Sequence, residues 1–449
     1  MRRSPGILGR FQHPAQVIVT GFAAVALIGT ALLALPIATE SGESAGWLTA
    51  LFTATSAVCV TGLAVVDTGA HWSVFGEWVI AGLVQVGGLG IMTLATLFTV
   101  LVAGRLGLRA RMFAQAETRT MNMTDVRHVV RKVVVFSLVC EAVTALVLTG
   151  RFLLGYGEPF GRALYLGVFH AITAFNNAGV TLWPDNLMRY VADPWICLTV
   201  VIAVLVGGLG FPVVFELLRS WRRPGRWSVL TRLTVGVTVV LLAVGTVVFL
   251  TTEWRNPRTL GPLDDSGKLL AAFFTAVMPR SAGFNSLDVA GMYPTSWLAT
   301  DLLMFIGGGS AGTAGGIKVT TFGLLAFVIW AEMRGEREVN IGHRRITDAA
   351  QRQAVSISLI SVALVAVSTY VLLALTPHSL DQVLFEVVSA FGTAGLSTGI
   401  TAEATPAGQV LLTLLMFIGR TGPLTLGSAL ALKDRIRHYQ LPEERVIVG

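Results

Sequence analysis

Long apolar stretches alternate with short basic ones from one end of the chain to the other. Val17–Leu35, Trp78–Val102, Val129–Leu154, Trp195–Leu218, Val229–Leu250, Trp297–Trp330, Val355–Leu375 and Val410–Leu432 are each close to or beyond the roughly 20 residues that a helix needs to cross a hydrocarbon core. Within each successive pair lies a shorter segment: Trp47–Ala57, Leu164–Phe175, Leu269–Met278 and Leu384–Phe391. These four are too short to cross, and each runs into small residues and a glycine. They predict re-entrant half-helices that enter from outside and turn back.

The strips after the half-helices align: SAVCVTGL (56–63), TAFNNAGV (173–180), MPRSAGFN (278–285) and AFGTAGLS (390–397). A second glycine-rich element follows in each interval, GGLGIMTL (87–94), GGLGFPVV (207–214), GGGSAGTAGGIK (307–318) and IGRTGPLTL (418–426). From Gly62, Gly179, Gly283 and Gly395 to Gly87, Gly207, Gly307 and Gly419 the separations are 25, 28, 24 and 24 residues. Two markers at a near-constant offset, four times over, define an internal repeat. The expected fold is all-α and polytopic: four units of outer helix, half-helix, strip and inner helix, with eight transmembrane helices and four half-helices around a pseudo-fourfold pore. The units are 1–104, 105–220, 221–332 and 333–449.

Composition agrees with a membrane chain. Of 449 residues 53% are hydrophobic and 13% charged, where a soluble chain carries about a quarter charged. The first apolar run is longer than a signal-peptide core and is followed by Pro36 without an A-x-A site, so it reads as a retained span. Cys59, Cys140 and Cys197 are odd in number and lie in apolar segments, which argues against a disulfide framework. The net charge of +7 is concentrated in five clusters, Arg2–Arg10, Arg105–Lys132, Arg219–Arg232, Arg334–Arg352 and Lys433–Arg445, which hold 24 of the 33 basic residues. Placed on one side, they put both termini in the cytoplasm of a cell membrane, so charge sets orientation and gives no reason to expect a nucleic-acid partner.

Glycine in the strips allows backbone to approach an ion in conformations costly for other residues. Carbonyls so exposed can replace the hydration shell of a cation such as K⁺. The strip residues Cys59, Val60 and Thr61, Asn176, Asn177 and Ala178, Ser281 and Ala282, and Gly392, Thr393 and Ala394 include no acid, which disfavours a divalent-cation pore. Arg280 is the charged exception, expected to pin its strip from behind through a salt bridge. The run Gly307-Gly308-Gly309-Ser310-Ala311-Gly312-Thr313-Ala314-Gly315-Gly316, with Lys318 after it, suggests a phosphate loop. The lysine follows Gly316-Ile317 instead of a glycine and no strand-like run precedes it, so the Walker pattern is not met. No nucleotide motif lies elsewhere. Arg420, in the last inner helix, is a charge at bilayer depth without an acid within a helical turn, and such a residue is a functional candidate. His170 and Glu216 are isolated, so a membrane-embedded enzyme is not expected.

The four degenerate strips and the inner helices opening on GGLG, GGLG, GGGSAGTAGGIK and GRTGP resemble the Trk/Ktr/HKT superfamily of K⁺ transporters over residues 15–432. Within it they resemble KtrB-type membrane subunits of bacterial Ktr uptake systems. TrkH-type channel subunits, which carry two further N-terminal helices, and Na⁺-coupled secondary transporters are the alternatives. The resemblance implies filter glycines at Gly62, Gly179, Gly283 and Gly395, and K⁺ at the strip carbonyls. It also implies a gating loop at Gly307–Gly316 and a cavity-facing arginine at Arg420. It implies a homodimer docked on a cytosolic ring of KtrA-like nucleotide-binding subunits, with Na⁺ as a further candidate ion. The fourth strip departs from the pattern, with alanine before the glycine where valine is common in K⁺ filters.

Overall fold

A computed structural model describes residues 14–104, 123–336, 338–342 and 344–422. The first and last basic clusters, most of the loop 105–132 and the apolar ending VIVG lie outside the described residues.

The helices follow the hydrophobic pattern closely. The first interval holds α1 (Pro14–Leu33), α2 (Trp47–Val58), the short α3 (Thr68–His71) and α4 (Val74–Gly104). The second holds α5 (Met123–Tyr156), α6 (Phe160–Phe175), α7 (Pro194–Leu209) and α8 (Phe211–Ser220). The third holds α9 (Val229–Glu253), α10 (Asp265–Val277), α11 (Pro294–Phe305) and α12 (Val319–Met333). After the hairpin β1 (Asn340–Ile341) and β2 (Arg344–Arg345) come α13 (Asp348–Leu375), α14 (Leu380–Gly392) and α15 (Pro406–Thr421). Helix starts carry oxygen caps that satisfy the otherwise orphaned first amides. Asp193 accepts from Trp195 and Ile196, Ser228 from Thr231, and Thr405 from Gly408; proline fills the first turn at 194 and 406.

Among the described residues α9, α13 and Val130–Tyr156 of α5 are long and apolar enough to cross a membrane singly, and the bent pair α7–α8 passes the same test jointly. Their outward faces keep large apolar side chains exposed, including Leu146 and Leu154 on α5, Val239 and Val247 on α9, and Leu359 and Val367 on α13. Contiguous apolar surface of that kind suits hydrocarbon and not water. Each of α1, α5, α9 and α13 packs on the half-helix after it. Each inner helix packs on the half-helix of the next interval: α4 on α6, α7 on α10, and α11 on α14, with α15 returning to α2. The packing is therefore cyclic, and one core joins Phe52 and Cys59 to Val387, Phe391 and Met416.

Three segments read as continuous apolar runs are not single helices. The run 195–218 breaks at Gly210 (φ +87°), and α7 and α8 meet at 104°. The run 297–330 breaks between Phe305 and Val319. The run 410–432 closes at Thr421 because Gly422 (φ +87°) cannot continue a right-handed helix. In the first and third of these, a glycine is followed within two residues by a proline, Pro212 or Pro423. That combination stops a helix: the glycine takes positive φ and the proline has no amide hydrogen.

Candidate functional site

The four half-helices α2, α6, α10 and α14 end in one backbone form. Val60 (φ +54°), Asn177 (+62°), Ser281 (+64°) and Thr393 (+46°) are left-handed, and two residues later so are Gly62 (+93°), Gly179 (+65°), Gly283 (+70°) and Gly395 (+82°). In three strips the residue between them donates its amide five residues back, Thr61 to Ser56 (2.8 Å), Ala178 to Thr173 (2.7 Å) and Ala394 to Ser389 (2.8 Å); Ala282 donates four back, to Met278 (3.1 Å). A left-handed residue followed by this bond is a Schellman ending. It turns the amides toward the half-helix. The carbonyls of Thr61, Ala178, Ala282 and Ala394 take no hydrogen bond from any described residue.

The glycines are there because the strips meet. A Cβ on Gly62 would overlap the Ala178 carbonyl oxygen, and one on Gly179 would stand 2.6 Å from that of Ala282. One on Gly283 would stand 2.9 Å from that of Ala394, and one on Gly395 would overlap that of Thr61. The order first, second, third, fourth, first is a closed ring of backbone, lined by carbonyl oxygens without internal partners. Gly87, Gly207 and Gly419 face the half-helix ends, where a Cβ would overlap the carbonyls of Val58, Phe175 and Phe391. Gly307, aligned with them by sequence, instead faces Gly315 of its own loop.

Beneath the ring, residues 307–318 leave the helical path and bond to the second, third and fourth intervals. Gly307 donates to Ile317 (2.8 Å) and Val319 to Gly308 (3.0 Å), which closes the loop at its neck. Gly309 and Thr313 donate their amides to Gly208 (2.8 Å) and Gly207 (3.2 Å). The Thr313 hydroxyl donates to Asn177 Oδ1 (3.0 Å), and the Gly315 amide donates to Ser281 Oγ (2.9 Å), whose hydroxyl donates to the Thr393 carbonyl (2.8 Å). The Ser310 and Thr320 hydroxyls lie 2.8 Å apart, and Ala311 takes φ +60°. The left-handed strip residues 177, 281 and 393 thus turn their side chains toward the loop. The break at Gly210 belongs to the same arrangement, because a Cβ there would overlap the Ser310 carbonyl oxygen. Within the loop, Gly312 lies against Gly207, Gly208 and Gly210, and Gly316 against Gly392.

Two cations border it. Lys318 donates to the Ala314 carbonyl, and buried Arg420 donates to the carbonyls of Thr313 and of Gly87 (3.0 Å). Neither forms an ion pair with a described residue. Arg280 corrects an expectation: instead of a salt bridge it has Thr238 Oγ1 at 3.1 Å and the Gly307 carbonyl at 3.5 Å as acceptors. It reaches α9 at Thr238 and the neck of the loop at Gly307. Cys59 and Gly392 are buried at the half-helix ends, Gly392 against the Met304 carbonyl.

Asn176 turns away from the ring into a network that the sequence did not suggest. Its amide donates to Gln85 Oε1 (2.9 Å) and Glu141 Oε1 (3.1 Å), and Gln85 donates to Glu141 (2.9 Å). Glu386 ties down the chain after the fourth strip by accepting from the Ser397 hydroxyl (2.6 Å) and the Thr398 amide (2.8 Å). A carboxylate inside an apolar run was the available signal, but it names no partner. His170 stacks on Trp183 at 4.3 Å, and Glu216 accepts from Ser228 in the turn after α8.

Comparison with known proteins bears on the same chain length. The family model TrkH, described as cation transport protein, matches residues 2–438. The chain is 42% identical to the Ktr system potassium uptake protein B of Bacillus subtilis over 436 residues, 97% of each protein. It is 38% identical to the protein of that name from Vibrio alginolyticus, over 97% of this chain and 94% of that one. It is 34% identical to the potassium/sodium uptake protein NtpJ of Enterococcus hirae, over 97% of each. The solved structure of the potassium transporter TrkH from Vibrio parahaemolyticus superimposes with a TM-score of 0.76 at 17% identity, covering 96% of this chain and 87% of that one. The two share a helical membrane fold.

Proposed function

This chain belongs to the TrkH family of cation transport proteins, a multi-pass membrane protein, and from that premise we propose that it is the K⁺-translocating subunit of a Ktr-type uptake system. Four units around a pseudo-fourfold axis form the pathway. K⁺ sheds water against the carbonyls of Thr61, Ala178, Ala282 and Ala394, whose amides face the half-helices. The C-terminal ends of α2, α6, α10 and α14 add partial negative charge on the same side. The observation that carries this reading is the closed ring of strip glycines, each barred from holding a Cβ by a neighbouring strip.

The loop 307–318 acts as the gate in its closed position. Its bonds to Gly207, Gly208, Asn177, Ser281 and Arg420 number five, and at about 1 kcal/mol net each they favour closure by about 5 kcal/mol. Reversing a two-state gate from 1:99 to 99:1 takes about 5.5 kcal/mol, so differential binding of one partner can open it. A cytosolic nucleotide-binding ring of KtrA type is the partner this reading assigns, since the relatives are named as components of Ktr systems. Docking is assigned to the basic segments 105–132 and 334–352 of a homodimer with both termini cytoplasmic. Retained ring binding after deletion of both segments would remove that assignment. Na⁺ enters as a second candidate ion through the similarity to a potassium/sodium uptake protein.

The test is ⁸⁶Rb⁺ uptake by proteoliposomes of the purified chain, with K⁺ or Na⁺ as competitor. Uptake suppressed by K⁺ at concentrations where Na⁺ has little effect supports the reading. Absence of uptake with the partner ring present, or equal competition, overturns it.

A further inference from the structure

The turn after α8 is folded so that its arginines are left without acids. Trp227 donates its indole N–H to the Ser220 carbonyl (3.0 Å), and Arg232 donates to that of Gly225 (2.6 Å). Glu216 is the one acid between residues 213 and 232. It accepts from the Ser228 amide (2.7 Å), the Ser228 hydroxyl (2.6 Å) and the Thr231 hydroxyl (2.5 Å). Arg219, Arg222, Arg223 and Arg226 are exposed, and none pairs with a described acid. They line an open cavity of about 710 Å³ with Leu218 and Trp221, which are 66% and 65% exposed.

Guanidinium forks match phosphate oxygens bidentately. An indole and a leucine beside them would be left in water by a soluble anion but are covered when the phosphate comes with acyl chains. Trp belongs at the interface, and basic pockets at the cytoplasmic ends of spans recognise anionic headgroups. We propose that this cavity binds the headgroup of an anionic phospholipid and that its occupancy biases the gate, a statement that rests on the orientation and loop role proposed above. The link to the gate is short. α8 starts at Gly210, whose α-carbon is wedged against Ser310 and Gly312 of the loop, so an α8 held at the membrane surface fixes the wall on which the loop rests.

Native mass spectrometry of the full chain in detergent, titrated with phosphatidylglycerol or phosphatidylcholine, tests the site without depending on transport. The wild type is expected to retain phosphatidylglycerol in preference to phosphatidylcholine. R222Q/R223Q/R226Q should weaken it by about a hundredfold, at about fivefold per arginine, with an unchanged melting temperature. Equal retention by both proteins overturns the proposal, as does displacement of the lipid by equimolar inorganic phosphate. So does a variant that keeps the lipid but loses the cytosolic partner ring, which would make the cradle a protein-docking surface. R222Q alone should show about a fivefold loss, a check should the triple variant not fold. In vesicles, ⁸⁶Rb⁺ uptake by the wild type should change at least about threefold between pure phosphatidylcholine and a mixture containing phosphatidylglycerol, and the variant should not respond. An unresponsive wild type overturns the regulatory part. Absence of transport in every vesicle would instead count against the K⁺ pathway and leave the binding result standing.

Discussion

Replacing Gly395 with alanine separates backbone strain from loss of the ring. Gly395 has φ +82°, and a Cβ there would overlap the Thr61 carbonyl oxygen, 3.0 Å from its carbon and 3.1 Å from Gly283 Cα. Ordinary contact begins at 3.4 Å, so the Thr61 carbonyl oxygen must retreat by about 1.4 Å. Gly399 supplies the control: its φ is +102°, yet nothing lies within 4 Å of a Cβ. Both alanines incur the conformational cost of about 1–3 kcal/mol; only one displaces an oxygen of the ring. An ion–oxygen contact, scaled from hydrogen bonds to charged groups, amounts to about 1.5–3 kcal/mol. Gly395→Ala should therefore cut K⁺ over Na⁺ discrimination by at least about tenfold, or about 1.4 kcal/mol. Gly399→Ala should leave it unchanged. Gly395→Ala should lose more melting temperature than Gly399→Ala, because the overlap adds to the shared strain, and ⁸⁶Rb⁺ uptake under Na⁺ competition reads the difference in selectivity. If the two variants discriminate equally, the ring of carbonyls is not the selecting element.

Arg420→Ala removes a charged donor to the Thr313 carbonyl of the loop and another to Gly87 of the first inner helix; only the first holds the loop, at about 1.5 kcal/mol. Basal uptake without the partner should rise by about tenfold, and unchanged flux would refute a gating role. Thr313→Val keeps the shape and deletes the bond to Asn177, about 1 kcal/mol, so a rise of about fivefold is expected in the same assay. Glu141→Leu leaves Asn176 and Gln85 without their shared acceptor, at a cost of about 1–3 kcal/mol for each buried group. Selectivity should fall along with melting temperature, and Glu141→Gln should restore most of both; a stability loss without any change in selectivity would make the network purely structural.

The strips were legible because the ring admits no side chain at 62, 179, 283 or 395, and a steric demand repeated four times leaves the same residue four times. The half-helices were legible from length alone. The break at Gly210 was not, since GGLGFPVV keeps its hydropathy through the bend; Gly210 with Pro212 was the readable sign. Gly307 aligned with Gly87, Gly207 and Gly419 in spacing while taking a different neighbour, because its segment had left the helix. The bonds that join Gln85, Glu141 and Asn176 span 35 to 91 residues, and periodicity carries no information about such pairs. Arg280 was given a salt bridge by rule, whereas in the fold two oxygen acceptors, the Thr238 hydroxyl and the Gly307 carbonyl, stand where the acid was expected. Arg420 stood out because a charge inside an apolar run is rare, though its carbonyl partners could come only from the fold.

The central claim is that the permeating ion sits inside the ring made by the four strips. Anomalous diffraction from crystals of the protein grown in RbCl locates that ion directly. The account predicts a peak on the axis, surrounded by the carbonyl oxygens of Thr61, Ala178, Ala282 and Ala394 and lost when NaCl replaces RbCl. A peak at buried carboxylates such as Asp301 or Glu386, with none on the axis, would contradict it.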